Sequence, residues 1–221
     1  MQRRTFCSAL VGGILAPPLR GAAPDDTPVR QWVERARTLK SVEADFKQER
    51  YLRALNRPLV APGRVWFRSD GALRWQLGDP PKTIALRPAA GSAIRVIEPE
   101  AKTVRSFTVE EAGSKGGALS LLDAGFPRSY ESFESRFKLD RVERDEDGAW
   151  RITTHLRENA LAVAVQRLVF IVESESSRVQ GIEVWLRDGS RIASLFTNLK
   201  ENAPLPDTLF DQNTDGYREV K

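Results

Sequence analysis

The apolar positions of this chain recur first at helical spacing and then, over most of its length, at every second residue. Val29, Trp32, Val33, Ala36 and Leu39 share one face of a helix, with Arg30, Glu34, Arg35 and Arg37 around the rest. Thr27 can cap that helix, and Pro28 suits its first turn. At Ser41 the period becomes two. Val42, Ala44, Phe46 and Gln48 oppose Glu43, Asp45, Lys47 and Glu49, which predicts a half-buried antiparallel strand. The run 64–77 predicts two strands joined at Asp70-Gly71, since both residues tolerate the positive φ of a tight turn. After that turn Leu73, Trp75 and Leu77 share a face. Before it Val65 and Phe67 share one, and Trp66 points the other way. One face of this hairpin therefore meets a core, and the other needs a cover or an apolar ligand.

Ala54 to Pro62 reads as a turn-prone connection, and Gly78-Asp79-Pro80-Pro81 ends the hairpin. Further strands are predicted at Thr83–Leu86, Ser92–Ile97 and Thr103–Val109. Gly113 to Gly117 is a flexible stretch before a short helical segment, Ala118–Ala124, which Gly125-Phe126-Pro127 stops. Leu119, Leu122 and Phe126 line one side of it. It is either a lid hinged on glycines or a helix that plugs the core. From Phe133 the pattern is a strand meander. Its apolar rows include Leu168, Phe170 and Val172, and then Ile182, Val184 and Leu186, with turns at Asp145–Gly148 and Asp188-Gly189. About ten or eleven strands with two helices predict one curved antiparallel sheet, curled into a barrel or half-barrel. One amphipathic helix is too small to fill a wide barrel, so the interior is expected to be hollow, with room for a ligand.

Residues 1–23 are expected to be a signal peptide rather than part of the fold. Arg3-Arg4 precede an apolar run from Phe6 to Ala16, too short to span a bilayer, and the pair resembles a twin-arginine export motif. Residues 24–221 are then one domain. The leader carries three arginines and no acid, so its removal takes the formal charge from +4 to +1, and the chain offers no basic argument for nucleic-acid binding. The sole cysteine, Cys7, lies in the leader, which leaves no disulfide or sulfur metal site. His155 is the one histidine and sits in a strand pattern, a poor basis for a metal site or a catalytic triad. No nucleophile elbow, phosphate loop or dinucleotide fingerprint is present. The expectation is a protein without catalytic residues, metal or cofactor.

Phe46-x-Gln48, Asn56-Arg57-Pro58-Leu59, Gly63-x-Val65-Trp66-Phe67 and Leu73-Arg74-Trp75 with Pro80 follow a Trp32-bearing helix. Together with Phe196 to Asn202 and Phe210, this pattern resembles the periplasmic outer-membrane lipoprotein carrier family, the LolA-like proteins, over roughly residues 29–210. The resemblance implies a mainly β fold with helices (α+β): an unclosed antiparallel barrel with a helical lid over an apolar cavity. It also implies a periplasmic monomer that shuttles acyl chains of lipoproteins or related lipids from an inner-membrane exporter to an outer-membrane acceptor. The expected lipid-binding set is Phe46, Val65, Phe67, Leu73, Trp75, Leu77, Leu119, Leu122, Phe126, Leu168, Phe170, Ile182, Val184 and Leu186. LolA-type carriers place an Arg-Pro pair at the hairpin turn, where the arginine helps lock the lid. Here the turn reads Arg68-Ser69-Asp70-Gly71, which makes Arg68 the candidate lock and the chain a divergent branch. Other readings are a lipid- or lipoprotein-sensing regulatory module of the same fold, and an exported hydrolase whose carboxylates converge only in space.

Overall fold

The computed structural model describes residues 24–108, 111, 121–157 and 160–220. The expected signal peptide and Leu119 lie outside these. Among the described residues two α-helices and twelve strands are formed: α1 (Thr27–Arg37) and α2 (Tyr130–Arg136), with β1 (Ser41–Tyr51), β2 (Leu59–Arg68), β3 (Leu73–Leu77), β4 (Thr83–Arg87), β5 (Ile94–Glu98), β6 (Thr103–Phe107), β7 (Phe137–Arg144), β8 (Trp150–Leu156), β9 (Val165–Val172), β10 (Val179–Leu186), β11 (Arg191–Glu201) and β12 (Arg218–Glu219). All twelve strands belong to one sheet, in the order β12-β6-β5-β4-β3-β2-β1-β11-β10-β9-β8-β7. Its ends, β12 and β7, do not pair, so the barrel is open. The two meanders meet where β11 pairs with β1, Phe46 opposite Phe196.

Three hairpins share one turn construction. Ser69-Asp70-Gly71, Glu146-Asp147-Gly148 and Arg187-Asp188-Gly189 each end on a glycine with φ of +82 to +90°. In each the flanking residues close the loop, as where the Arg68 N–H donates to the Ala72 carbonyl at 2.9 Å and the Leu186 N–H to Ser190 at 2.9 Å. Only glycine takes that last position without strain. Pro62, expected in a loop, is in β2. It lies just outside the β2–β3 ladder, whose last pair is Gly63–Leu77, where a missing N–H is tolerated.

Two elements differ from the sequence reading. The strand meander expected from Phe133 begins only at Phe137, because Tyr130–Arg136 is a helix. The Ser129 hydroxyl caps it by accepting the Ser132 N–H at 3.0 Å, and Phe133 is its buried anchor. At α1 the cap is not Thr27. The Thr27 N–H instead donates to Asp25 Oδ1 at 3.0 Å.

The two faces of the opening hairpin meet different partners. Val65, Phe67, Leu73 and Trp75 join the main core. Trp66 turns outward and is covered by the C-terminal segment, with Leu205, Leu209 and Phe210 over Trp66, Ala72 and Leu86. Thus the cover is the chain itself. Arginines of the sheet hold it down. Arg74 donates to the Leu209 carbonyl and to Gln212 Oε1, both at 3.1 Å, and Arg95 pairs with Asp211 at 3.2 Å.

Candidate functional site

The concave face of the sheet carries a continuous apolar tract, aromatic at two centres. On the β1–β3 side the Phe46 ring lies 4.2 Å from Trp75, and Phe196 stands edge-on to both at 6.3 and 6.2 Å. On the β7–β9 side Phe137 and Phe170 are 5.6 Å apart. The first centre depends on Gly63. A Cβ there would lie 2.1 Å from Phe46 Cζ and 2.6 Å from the Gln76 carbonyl, so the glycine lets the Phe46 ring lie flat on β2.

Against this tract pack three pieces. Helix α1 contributes Val29, Trp32 and Val33, with Trp32 4.8 Å from Phe170. Helix α2 contributes Phe133, 5.6 Å from Trp32 and 5.1 Å from Phe137. The turn at 121–126 contributes Leu121, Ala124 and Phe126, the last stacked on Phe67 at 5.1 Å. Among the described residues the interior is therefore filled by these side chains, where the sequence reading expected a hollow. α1 has help from α2 and Phe126, and together they occupy the space that one helix would leave. A crevice between α1 and Gly125-Phe126, bounded by Val42, Val179 and Leu199, holds about 10 Å³, the space of one water. A second gap, beside Asp123 and Phe67, holds about 70 Å³. Sites for lipid-sized ligands run to roughly 300 Å³ or more.

Every expected lipid-binding residue that the structure describes lies in this one cluster. Phe46, Val65, Phe67, Leu73, Trp75, Phe126, Leu168, Phe170, Ile182 and Val184 are buried in it, and Leu77, Leu122 and Leu186 pack against it. Sequence reasoning passed over Phe133, Phe137 and Ile152, which are equally buried there. Two polar atoms in this interior have no partner: Trp32 Nε1 and Thr154 Oγ1. Each costs about 1–3 kcal/mol while unpaired, and a carbonyl or ester oxygen lodged beside it would recover that.

The arginine expected to lock the lid faces away from it. Arg68 lies on the outer side of β2 with Trp66, where it pairs with Asp70 at 2.7 Å and Asp207 at 2.6 Å and lies over the Phe210 ring. Arg68 thus fastens the C-terminal segment. The reason is the alternation of the strand, since Phe67 takes the inward position. The 121–126 turn is fastened by a different group. Asp123 receives Arg87 of β4 at 2.8 Å and Arg136 of α2 at 3.2 Å, while Arg87 Nε donates to the Gly71 carbonyl at 2.8 Å. Burial pushes the Asp123 carboxyl up, but the two guanidinium groups outweigh it and hold it below the usual carboxylate range. No spacing rule links Arg87, Asp123 and Arg136, so only the fold reveals them as a unit.

The helices are tied at both ends of α1. The Tyr130 hydroxyl donates to Asp26 Oδ2 at 2.6 Å, Arg30 pairs with the same oxygen at 2.8 Å, and its guanidinium lies 3.8 Å over the Tyr130 ring. Burial and the Asp26 carboxylate push the Tyr130 phenol up to about 12. At the other end Glu201 holds Arg35 and, at 3.3 Å, Arg178. His155 is half exposed, its Nδ1 2.8 Å from the Gln166 carbonyl and its Nε2 3.7 Å from Asp140. Gln48 is satisfied by Ser194 Oγ at 3.3 Å across the β1–β11 seam. Among the described residues no three His, Cys, Asp or Glu side chains gather as metal ligands.

An open sheet, antiparallel except where β12 runs parallel to β6, with helices on its concave face over an apolar aromatic interior, defines a mainly β half-barrel. The family model for the outer membrane lipoprotein carrier protein LolA matches residues 37–213, and the chain belongs to that family. A DUF1329 family protein from Desulfovibrio piger superposes with a TM-score of 0.51 at 12% identity, covering 84% of this chain and 95% of the other. A LolA superfamily protein from Nitrosomonas europaea gives a TM-score of 0.45 at 10% identity, covering 82% and 96%. A comparison with curated protein sequences found no match. Proteins of the LolA family are extracytoplasmic carriers and binding proteins of lipids and lipoproteins, in general without enzymatic activity. Among the described residues no helix is long and apolar enough to cross a membrane.

Proposed function

We propose that this protein carries acyl chains of lipoproteins or related lipids through the periplasm towards the outer membrane, by exchanging them for its own lid. The observation that supports this is the fastening of the 121–126 turn. Its apolar side, Leu121, Ala124 and Phe126, covers the aromatic tract, while the one anchoring carboxylate, Asp123, sits between arginines of two other elements. Release of that anchor exposes Phe67, Trp75, Phe196 and Ile182 together. Acyl chains cross water poorly, at about 0.8 kcal/mol for each exposed methylene, so a carrier needs only such a surface and a cover that yields.

The test is mass spectrometry of lipids extracted from protein purified from the cell envelope, combined with uptake of a fluorescent fatty-acyl probe. Bound acyl lipid, and probe uptake that is lost with Phe46→Asp, supports the reading. Protein that is always empty and takes up no probe refutes it. Recovery of a membrane signalling protein as a stable partner, with no lipid transfer, would instead establish the sensor role.

A further inference from the structure

The strand ends and connections at one end of the half-barrel carry a feature that lipid storage does not use. Among the described residues five large hydrophobic side chains are exposed, and four of them are here: Leu55, Leu59 and Val60 between and at the start of β1–β2, and Val163 between β8 and β9. Val163 is 78% exposed and Val60 54%. The sheet order brings these segments to the same end, because Tyr51 closing β1 pairs with Arg191 opening β11, and Leu186 closing β10 pairs with Val165 opening β9. The Arg187 guanidinium ties the β10–β11 turn to the Ala162 carbonyl at 3.0 Å, and Arg53 approaches Gly189 of the same turn.

The charge at this tip is mixed, with arginines the most numerous charged groups on the β1–β2 connection. Arg50, Arg53 and Arg57 are exposed, and none has an ion-pair or hydrogen-bond partner. Acids share this end: Glu49 pairs with Lys47 at 2.7 Å, Asp188 Oδ1 accepts the Ser190 N–H, and Asp79 is exposed in the same cleft as Val60. Several arginines elsewhere among the described residues are instead paired with carboxylates or laid over aromatic rings, as Arg64, Arg68, Arg87 and Arg167 are. Exposed aliphatic side chains on protruding connections, ringed by unpaired arginines, match the layering of a bilayer surface, in which acidic headgroups lie above hydrocarbon.

We propose that the β1–β2 tip docks on an anionic membrane surface, with Leu55, Leu59 and Val60 entering the headgroup boundary and Arg50, Arg53 and Arg57 meeting lipid phosphates. The occupant is the bilayer rather than a protein groove, because the apolar groups project from connections at the end of the sheet and the three arginines of the same connection have no partner of their own. Docking here is independent of what the interior holds.

A polarity-sensitive dye tests it, attached to Leu55→Cys in a Cys7→Ser full-length chain, with Ala90→Cys on the opposite end of the sheet as the control position. Vesicles of phosphatidylcholine are compared with equimolar phosphatidylcholine and phosphatidylglycerol. The expected result is a blue shift at position 55 with the anionic vesicles, reversed by salt, and none at position 90. Arg53→Ala with Arg57→Ala should weaken partitioning about thirtyfold, about fivefold for each arginine. Equal shifts at both positions, no shift at 55, or a shift indifferent to phosphatidylglycerol would overturn the proposal. So would tip-dependent binding to an envelope protein with none to vesicles. Acyl-probe uptake is read in the same samples, so failure of docking and failure of the carrier reading are separable.

Discussion

Asp123→Ala tests whether the 121–126 turn is a lid held by one anchor. The substitution takes the shared carboxylate from Arg87 and Arg136, whose side chains are 16% and 38% exposed, at a site that is itself 21% exposed. Removing one partner of a fully buried pair costs about 3–5 kcal/mol. The exposure of Arg136 calls for a discount, since ion pairs open to solvent contribute little. About 2–3 kcal/mol remains, and because Asp123 itself belongs to the turn, the loss falls first on the turn rather than on the sheet. The lid-opening equilibrium should then rise roughly 30- to 150-fold. Hydrogen exchange reads this directly, as the Ala124 and Phe126 amides donate to the Leu121 and Asp123 carbonyls at 3.0 Å. Those two amides should lose protection by that factor while amides of β1 keep theirs, and acyl-probe uptake should quicken in parallel. Unchanged exchange at 124 and 126 would refute the anchor. Equal loss in β1 would show that Asp123 supports the whole fold instead.

The same carboxylate sets a pH dependence. Its folded pKa lies below the ordinary value near 4, so its contribution is complete above that value and fades as pH falls through the folded pKa. Protection factors at Ala124 and Phe126, taken against the intrinsic exchange rate at each pH, should therefore stay high at neutral pH and fall only below about pH 4. An opening midpoint near pH 6 would contradict the assignment.

Other consequences follow from single contacts. Gly63→Ala places a methyl group on the Phe46 ring and should lower stability by about 1–3 kcal/mol, with loss of the near-ultraviolet signal of the Phe46–Trp75 pair; an unaltered denaturation midpoint would show that the ring moves freely. Phe210→Ala uncovers Trp66 and should cost about 3 kcal/mol by urea denaturation, with new proteolytic cuts within 203–220; a tail that stays protected would mean that the arginine contacts alone retain it. The Tyr130 phenol, raised to about 12, favours the fold fully below pH 10 and progressively less as pH climbs through 12, so absorbance titration should show one tyrosine ionising late, and Asp26→Asn should bring it earlier.

The strands were legible because alternation decides them locally. Val65, Phe67, Leu73 and Trp75 could be placed on one face by counting in twos, and the Asp-Gly turns by their backbone needs. What the sequence hid were events between distant residues. Trp66 asked for a cover, but nothing local named Phe210 as that cover, 144 positions later. Arg68 was read as a lock from its place near the Asp70-Gly71 turn, yet strand parity sends it outward, and it is Arg87, in an Arg-Pro pair with Pro88 at the end of the next strand but one, that holds Asp123. The helix at 130–136 was missed for a different reason. It is only seven residues long, too short for a periodic signal, and its one clue was Ser129 ahead of Tyr130-Glu131.

A filled interior changes the physics expected of the carrier. A ligand entering a ready-made hollow would gain the full transfer energy of its chain, about 12 kcal/mol for roughly 16 carbons, and would leave slowly. In the proposed exchange an acyl chain would first displace Leu121, Leu122 and Phe126, which contribute about 5–9 kcal/mol of their own burial, and break the Asp123 anchor at about 2–3 kcal/mol more. The two sides then differ by only a few kcal/mol. Cargo and lid compete for one surface, so net affinity stays modest and release needs no separate source of energy. The corollary is that weakening the lid should tighten binding. Asp123→Ala should hold the acyl probe more firmly than the unaltered chain and pass it on to acceptor vesicles more slowly. If the variant binds more weakly or transfers faster, the lid is part of the ligand site rather than its competitor.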